Sequence, residues 1–455
     1  MTSTQKPNSV ATVIMAAGHS KRMKSALPKV LHAILGKRLI EYSLEAVEAL
    51  SPAKPVVVIG QAAEQVRQVV GERARFALQA QQLGTADAVK AARPLLEGEA
   101  ELVVVISADM PLIRAETLQR VVASQRNSEN LMTLVSVRAA DPRGFGRVLR
   151  GMGDRALAVV EEKAATVQQR EIDELNTSIY CFKAAWLWSA LERVPLSAVG
   201  EYYLTDLVEM AAKEGGAGIL QLEDEEEVIG INNRVHLAQA QQALQKRVNT
   251  ALMLSGVTLV DPLRVYVDAG VQVGQDTVLY PETHLRGNSV IGSNCRIGPS
   301  VIMEDSRVGD DCRILFSVLE GALVEDHVEM GPYAHLRKGA HLASHVHMGN
   351  FGEVKNSTLG EGTKMGHFSY LGDATIGEDV NIGAGTITCN FDGQNKHATE
   401  IGKGAFIGSD TMLVAPVKIG AGAKTGAGSV VTHDVPPGSV VVGVPARELA
   451  KHKPD

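Results

Sequence analysis

From Leu359 to Val431 a small or aliphatic residue followed by glycine returns in six-residue phase. The beats fall at Gly360, Gly366 and Gly372, at Gly377 and Gly383, and at Gly402, Gly408, Gly420 and Gly426, with Val414 filling one missed beat. Weaker beats precede them at Gly274, Gly292, Gly298, Gly309 and Gly331. Six matches neither the 3.6 period of a helix nor the period of two of a lone strand. It fits a coil whose flat faces are very short strands, the hexapeptide β-helix. In this reading the aliphatic residue of each hexad points inward, and glycine sits where the chain turns and a side chain is costly. No single coil can bury its apolar face, so neighbouring coils must stack. The phase breaks between Gly383 and Gly402. There Thr388-Cys389-Asn390-Phe391-Asp392-Gly393-Gln394-Asn395-Lys396-His397 forms a polar segment without a hexad, read as a loop leaving the coil. Loops on a rigid scaffold are where function usually sits.

Composition agrees with a chain that is half solenoid. At 455 residues the length prior is about three domains, and a solenoid half reduces this to two globular units. Apolar residues make up 45%, aromatics only 4%, and there are 44 glycines, as stacking on Val, Ile and Ala requires. A net charge of −7 argues against general nucleic-acid binding, so anionic ligands must be held by placed residues. Cys181, Cys295, Cys312 and Cys389 are scattered without a C-x-x-C pair, which speaks against a disulfide framework or a zinc site. No apolar run approaches the roughly 18 residues of a spanning helix. The apolar stretch Val10 to Ala17 runs into a polar glycine loop without a cleavage site, so it reads as a first strand and the expected location is cytoplasmic.

Residues 1–9 are polar and expected to be loose. Apolar patterning then predicts strands over 10–16, 55–59 and 102–107 and helices over 39–50, 64–70 and 86–96. Such alternation predicts a doubly wound, mostly parallel sheet, with ligands beyond the carboxyl ends of its strands. Three segments fall at those ends. In the first, Met15-Ala16-Ala17-Gly18-His19-Ser20-Lys21-Arg22-Met23 and then Leu27-Pro28-Lys29, small residues let backbone amides approach a phosphate that Arg22 and Lys29 would neutralise. From spacing alone it reads equally as a plain strand-to-helix turn with two solvated cations. The second, Gln79-Ala80-Gln81-Gln82-Leu83-Gly84-Thr85, offers the donors and acceptors that suit a base and ribose, or simply a polar loop and helix cap. The third, Ser107-Ala108-Asp109-Met110-Pro111, ends a hydrophobic strand in one carboxylate, able to hold magnesium or to cap the next turn.

Together these segments resemble the sugar-1-phosphate nucleotidylyltransferases. Gly144-Phe145-Gly146-Arg147-Val148, Val160-Glu161-Glu162-Lys163, Leu175-Asn176-Thr177, Gly200-Glu201-Tyr202-Tyr203-Leu204-Thr205-Asp206 and Gly230-Ile231-Asn232-Asn233-Arg234 follow in that family's order. With the hexads behind them, the stretch from about Val10 to Val435 resembles the bacterial bifunctional N-acetylglucosamine-1-phosphate uridyltransferases/glucosamine-1-phosphate N-acetyltransferases. The resemblance implies a Rossmann-like α/β nucleotidyltransferase domain with a mixed, mostly parallel sheet over 1–230. A helical linker over 231–255 and an all-β, left-handed parallel β-helix over 256–455 follow. The linker carries Leu237, Ala240, Ala243, Leu244, Val248 and Leu252 at helical spacing, with Asn232 or Asn233 as N-cap.

Carried over by motif, the resemblance implies that Ala16, Ala17, Gly18, Arg22, Gln79, Gln82, Gly84 and Thr85 hold the uridine nucleotide of UTP. Lys29 neutralises phosphate charge in catalysis, and Asp109 with Asn232 binds magnesium. Gly146, Glu161 and Asn176 hold the sugar. Ser20, Ala108 and Ser178 each stand where the family usually has Gly, and Lys21 where it usually has Thr.

Acetyl transfer needs a base for the amine, a role suited to histidine. His327, His335, His341, His345, His347, His367 and His397 are candidates in the second half. Only His367 directly follows a beat glycine, in Met365-Gly366-His367-Phe368-Ser369-Tyr370-Leu371-Gly372-Asp373, which matches the family's acetyltransfer motif. The resemblance makes His367 the general base, and Arg337, Lys355, Tyr370 and Asn381 the sugar-phosphate site. It assigns acetyl-CoA to Asn390, Phe391, Ser409 and Ala427, with Phe391 in place of the usual Tyr; Arg447 lies in a tail typical of hexapeptide acetyltransferases. It also implies a homotrimer whose acetyl site is completed by neighbouring chains, small-molecule partners only, no membrane insertion, and a product, UDP-N-acetylglucosamine, that feeds cell-envelope synthesis. The alternative is a nucleotidylyltransferase whose β-helix serves assembly alone.

Overall fold

The computed structural model describes residues 9–18, 21–60, 63–139, 141, 144–153 and 155–449. Residues 1–8 of the segment expected to be loose, and His19 and Ser20 of the glycine loop, lie outside this set. The chain divides into two compact units between Ala243 and Leu244.

Unit 1 is built on seven strands: β1 (Val10–Met15), β2 (Val56–Ile59), β3 (Arg75–Leu78), β4 (Leu102–Ser107), β5 (Met132–Arg138), β6 (Glu174–Lys183) and β7 (Ala217–Leu222). Their order across the sheet is β7-β5-β6-β4-β1-β2-β3. All neighbours run parallel except β6, which is antiparallel to both β4 and β5. β1, β2 and β4 are near-continuous apolar runs because both of their faces are covered. Val13, Val56, Val58, Val103 and Val105 pack into one core layer, and Ile14, Val57, Ile59, Val104 and Ile106 into the other. A side hairpin, Arg147–Arg150 with Ala156–Val160, joins β6 where Arg147 lies opposite Leu175. The run expected as one helix over 86–96 is two, Thr85–Ala91 and Arg93–Leu96. Pro94 explains the break: it has no N–H to donate into the preceding turn but fits the first turn of a new helix.

Unit 2 consists of three sheets of very short strands, with 12, 10 and 9 members. Except where Val440–Val442 and Arg447–Glu448 close the 12-membered sheet as an antiparallel hairpin, strands pair in parallel with the one a full coil later, as Thr358–Leu359 does with Thr375–Ile376. Leu359, Met365, Leu371, Ile376 and Ile382 point into one continuous core, as the hexad phase predicts. The glycine beats have a different cause from the one expected. Gly360, Gly377, Gly383, Gly402, Gly408 and Gly420 are not in the left-handed region. A Cβ on any of them would instead sit 2.4–2.6 Å from main-chain atoms of the next coil. Glycine is there so that coils can stack closely, and the turn conformation falls two residues later, at Gly362, Gly385, Gly404 and Gly422, with φ of 66–75°. Gly298 and Gly331 do combine a beat with positive φ.

The helix Arg234–Leu254 starts at Asn233, whose Oδ1 accepts from the His236 N–H at 2.9 Å, so Asn233 rather than Asn232 is the cap. Within unit 2, Val248 and Leu252 pack on the coil core. The buried Asn249 amide donates to the carbonyls of Pro262 (2.7 Å) and Val265 (3.0 Å), which pairs main-chain groups of the first coil.

Candidate active sites

In unit 1 the carboxyl ends of β1 and β4 open onto a cleft of about 470 Å³. Ala16, Ala17, Gly18, Lys29, Gln79, Gln82, Gly84, Thr85, Asp109 and Glu161, ten residues from four separate motifs, line it. Asp109 follows β4 and is gripped by the Lys29 ammonium and by the Ser107 hydroxyl, which donates at 2.6 Å. Burial alone would raise the Asp109 pKa, but the Lys29 charge and these hydrogen bonds outweigh it and hold the carboxyl below its ordinary range. The Ile231 N–H donates to the Asp109 main-chain carbonyl at 2.9 Å, which ties the segment carrying Asn232 to the end of β4, and Arg22 Nη2 donates to Asn232 Oδ1 at 2.8 Å. An ionised carboxylate and an amide oxygen form the hard-oxygen set that magnesium takes.

The Gln79–Thr85 loop is held by the segment around Tyr202. Gln79 Nε2 donates to Gly84 O (3.0 Å) and Asp87 Oδ2 (2.8 Å), Tyr202 N–H to Leu83 O (2.7 Å), and Leu204 N–H to Thr85 Oγ1 (2.9 Å). Gly84 is required twice: its φ is 113°, and a Cβ would lie 2.4 Å from the Tyr202 carbonyl. Gln82 Nε2 donates to Ala17 O, while its buried Oε1 has no partner among the described residues.

On the opposite side, Asn176 Nδ2 donates to the Tyr180 hydroxyl at 2.8 Å, and the Asn176 N–H bonds Gly146 O at 2.8 Å. Gly146 and Asn176 thus sit behind Tyr180, which lines the cleft and whose phenol burial pushes up strongly. Asn176 Oδ1 is also buried, without a partner among the described residues. The β6 register shifts between Asn176 and Tyr180, with Ser178 at φ 61°, so a bulge turns this strand end toward the cleft. Glu161 Oε1 accepts from the Thr205 hydroxyl at 2.8 Å.

Arg147, Gly60 and Thr205 belong to this site without having been singled out. Arg147 is 1% exposed, lies 2.5 Å from the Glu162 carboxylate and secures the hairpin that presents Gly146 and Glu161. A Cβ on Gly60 would lie 2.8 Å from Ala17 O. Its signal was legible, since glycine ends β2 as it follows the apolar run of β1.

In unit 2 the candidates gather around the excursion loop. Ala374 pairs with Thr399, 25 positions on, whereas Thr358 pairs with Thr375, 17 positions on; residues 390–397 are the surplus. The loop closes on itself: His397 N–H donates to Asn390 O (2.8 Å), and the Asp392 carboxylate accepts from the N–H groups of Gln394 (2.8 Å) and Asn395 (2.7 Å). At its base Asn390 Nδ2 donates to Asp373 Oδ2 at 2.5 Å, and Asn356 Nδ2 to Asp373 Oδ1 at 2.7 Å. Burial opposes charge on Asp373, but these amides, with Lys396 and Lys355, hold its pKa low. Lys355 lies beside Lys396, whose contact and charge, with Arg337, lower the Lys355 pKa. Arg337 Nη1 meets Glu353 Oε1 at 3.0 Å. Glu353 stacks in register on Tyr370. Glycine at 372 leaves room for the Tyr370 hydroxyl and Asn390 amide, which a Cβ would meet at 2.3 and 2.8 Å. Lys396 lay within the loop read from sequence, but no spacing rule links it to Lys355.

The histidines separate clearly. His335, His341, His347 and His397 face Glu320, Glu325, Glu329 and Asp392 at 2.7–3.3 Å, and His327 stacks on His345 with ring centroids 4.8 Å apart. Among the described residues His367 alone of the seven has no carboxylate or ring partner, and it is exposed on the turn that leads into the Tyr370 strand. Ser409 and Ala427 lie away from the lysine cluster but on the same edge of the coil as His367. Gly385 N–H bonds Phe368 O (2.7 Å), Asp410 N–H bonds Ala384 O (2.6 Å), and Gly428 N–H bonds Ser409 O (2.8 Å), stacking the successive turns. Asn381 stands on a strand in register with Lys364 and Phe406, and Phe391 is 60% exposed on the loop. Arg447 is exposed in the terminal hairpin, its Nη1 donating to Ala446 O at 3.1 Å.

Comparison with known proteins follows the same two-part division. Residues 12–220 match the MobA-like NTP transferase domain, and residues 270–303 and 398–433 match the bacterial transferase hexapeptide (six repeats) family. The chain is 47% identical over 432 residues, 94% of each chain, to a protein of Heliobacterium modesticaldum named Bifunctional protein GlmU. It is 46% identical over 439 residues, 95% of each chain, to one so named from Pelobacter propionicus. With a third, from Syntrophomonas wolfei, it shares 44% over 448 residues, 98% of this chain and 99% of the relative.

Proposed function

The chain belongs to the family of bifunctional GlmU proteins, and on that premise we propose how its residues divide two transfer reactions. It is a bifunctional enzyme, a nucleotidyltransferase and an N-acetyltransferase of UDP-N-acetylglucosamine biosynthesis. Its parts are a uridyltransferase domain over 1–230, a helical linker over 231–255 and an acetyltransferase domain over 256–455.

In the acetyl site Arg337, Lys355 and Lys396 grip the phosphate of glucosamine-1-phosphate, with Tyr370 and Asn381 along the sugar. His367, which has no carboxylate or ring partner among the described residues, takes the proton from the amine as it attacks the thioester carbon of acetyl-CoA, and the coenzyme A thiolate leaves. Ser409 and Ala427 line the edge along which the coenzyme lies, with Asn390 and Phe391 at its acetyl end. In the uridylyl site an oxygen of the N-acetylglucosamine-1-phosphate phosphate attacks the α-phosphorus of UTP, and diphosphate leaves. Ala16, Ala17, Gly18, Arg22, Gln79, Gln82, Gly84 and Thr85 orient the nucleotide, and Gly146, Glu161 and Asn176 hold the sugar. Lys29 stabilises the charge gathering on the phosphates. Asp109 and Asn232 hold magnesium, which when bound supplies further neutralisation of phosphate charge. In this reading the assembly is a homotrimer acting in the cytoplasm. Among the described residues no helix is long and apolar enough to cross a membrane.

The observation that carries the second activity is the gathering of Lys355, Lys396 and Arg337 at the base of the excursion loop. A coil serving only assembly gains nothing from like charges in contact. The test is release of coenzyme A thiol from acetyl-CoA and glucosamine-1-phosphate with UTP left out. Thiol release that His367→Ala removes supports the acetyl site; no release from a protein that still makes UDP-N-acetylglucosamine from the acetylated sugar phosphate and UTP refutes it.

A further inference from the structure

Several charges on the outer faces of unit 2 are paired between neighbouring coils. Arg264 meets Glu282 at 2.7 Å, His335 meets Glu320 at 3.1 Å, His341 meets Glu325 at 2.8 Å, and Lys418 meets Glu400 at 3.0 Å. Cations face cations at the Lys355 cluster, given a phosphate above, and again at Arg296 and Arg313. These two arginines are exposed and in register on adjacent parallel strands. Neither has an ion-pair partner among the described residues. Glu329, the next residue in register with Arg313, lies instead 3.3 Å from His347, and Glu282 is taken by Arg264. Arg296 Nη1 donates to the Tyr280 hydroxyl at 3.4 Å. Both arginines and Tyr280 line a cleft of about 460 Å³ floored by Gly298, Pro299 and Leu315.

Like charges directly opposite each other on a sheet are destabilising, and a bound anion relieves that cost. Strand spacing sets the two side-chain origins roughly 4.8 Å apart, and each guanidinium can grip phosphoryl oxygens bidentately. We propose that the Arg296–Arg313–Tyr280 cleft is an anion site for a diphosphate group, either free diphosphate or the diphosphate of a nucleotide. It is separate from both proposed active sites, and its residues play no part in the transfer chemistry.

Calorimetric titration of the full chain with sodium diphosphate, and separately with UDP, in chelator-treated buffer tests this. The Arg296→Gln/Arg313→Gln double variant is expected to lose one binding event per chain, or to weaken it at least tenfold, with both transfer activities unchanged. Arg296→Lys/Arg313→Lys, which keeps charge without the fork, should weaken that event several-fold without abolishing it, and Lys355→Gln should leave it intact. Equal weakening for the two probes assigns free diphosphate, and a larger effect on UDP assigns a nucleotide. Unchanged stoichiometry and affinity in the Gln double variant, or loss of the event in Lys355→Gln, overturns the proposal.

Discussion

Lys396, carried on the excursion loop, is the charge that acts most strongly on Lys355 of the coil. Lys396 and Arg337 together hold the Lys355 ammonium below the ordinary lysine range. A bound phosphate favours the charged form and raises this pKa again, so phosphate binding takes up protons once pH passes the lowered value of the free site. The KM for glucosamine-1-phosphate is therefore expected to rise with pH before ordinary lysines titrate. Lys396→Met should move that rise to higher pH while raising KM at neutral pH by about tenfold, since a charge-assisted hydrogen bond contributes ~1.5–3 kcal/mol. A pH profile of KM for the two proteins checks it, and superimposable profiles would contradict the coupling.

His367→Ala should lower acetyl transfer by about 10²- to 10⁴-fold, the usual worth of a positioned general base. Uridylyl transfer from the acetylated sugar phosphate should stay at the native rate. Thiol release and diphosphate release, measured separately on the same preparation, decide this.

Asp109→Asn should reduce uridylyl transfer by about 10²- to 10³-fold, on the scale of losing one preorganised electrostatic group, and should raise the magnesium concentration needed for half-maximal rate. Acetyl transfer should not change. A magnesium titration of diphosphate release reads both effects, and an unaltered titration would remove Asp109 from the metal site.

Two glycines of one repeat should respond oppositely to alanine. A Cβ at Gly383 would sit 2.5 Å from the Ser409 amide nitrogen, whereas one at Gly366 would have no heavy atom within 4 Å. Gly383→Ala is expected to destabilise unit 2 by about 1–3 kcal/mol, the range of overpacking, and Gly366→Ala to stay within about 0.5 kcal/mol of native. Both tryptophans, Trp186 and Trp188, lie in unit 1. Denaturation of unit 2 should therefore be followed by the far-ultraviolet signal of its strands, and equal midpoints for the two variants would refute the stacking account.

What the sequence made legible was whatever local chemistry imposes. The apolar runs of β1, β2 and β4 announced strands covered on both faces, and the hexads announced a stacked coil down to the residues pointing inward. The helix break at Pro94 was not read, although proline is a local signal of one. Less visible was anything that depends on two distant segments meeting. Arg147 looked like one more charge until the fold buried it against Glu162, and Lys396 was one of several polar loop residues until the loop placed it on Lys355. The beat glycines were read as turn residues because a single coil is all that local sequence describes, and the atoms that forbid a side chain belong to the next coil.

The eight surplus positions from 390 to 397 leave the ladder undisturbed on either side: Thr399 resumes above Ala374 as though nothing intervened. The loop's own closure through Asn390, Asp392 and His397 means that the coil need not hold it in shape. Mutations that lengthen, shorten or recompose this segment are thereby shielded from the register of the scaffold, which a single inserted residue elsewhere in a hexad would shift. Heredity can revise the chemistry at this edge of the molecule while inheriting its architecture unchanged.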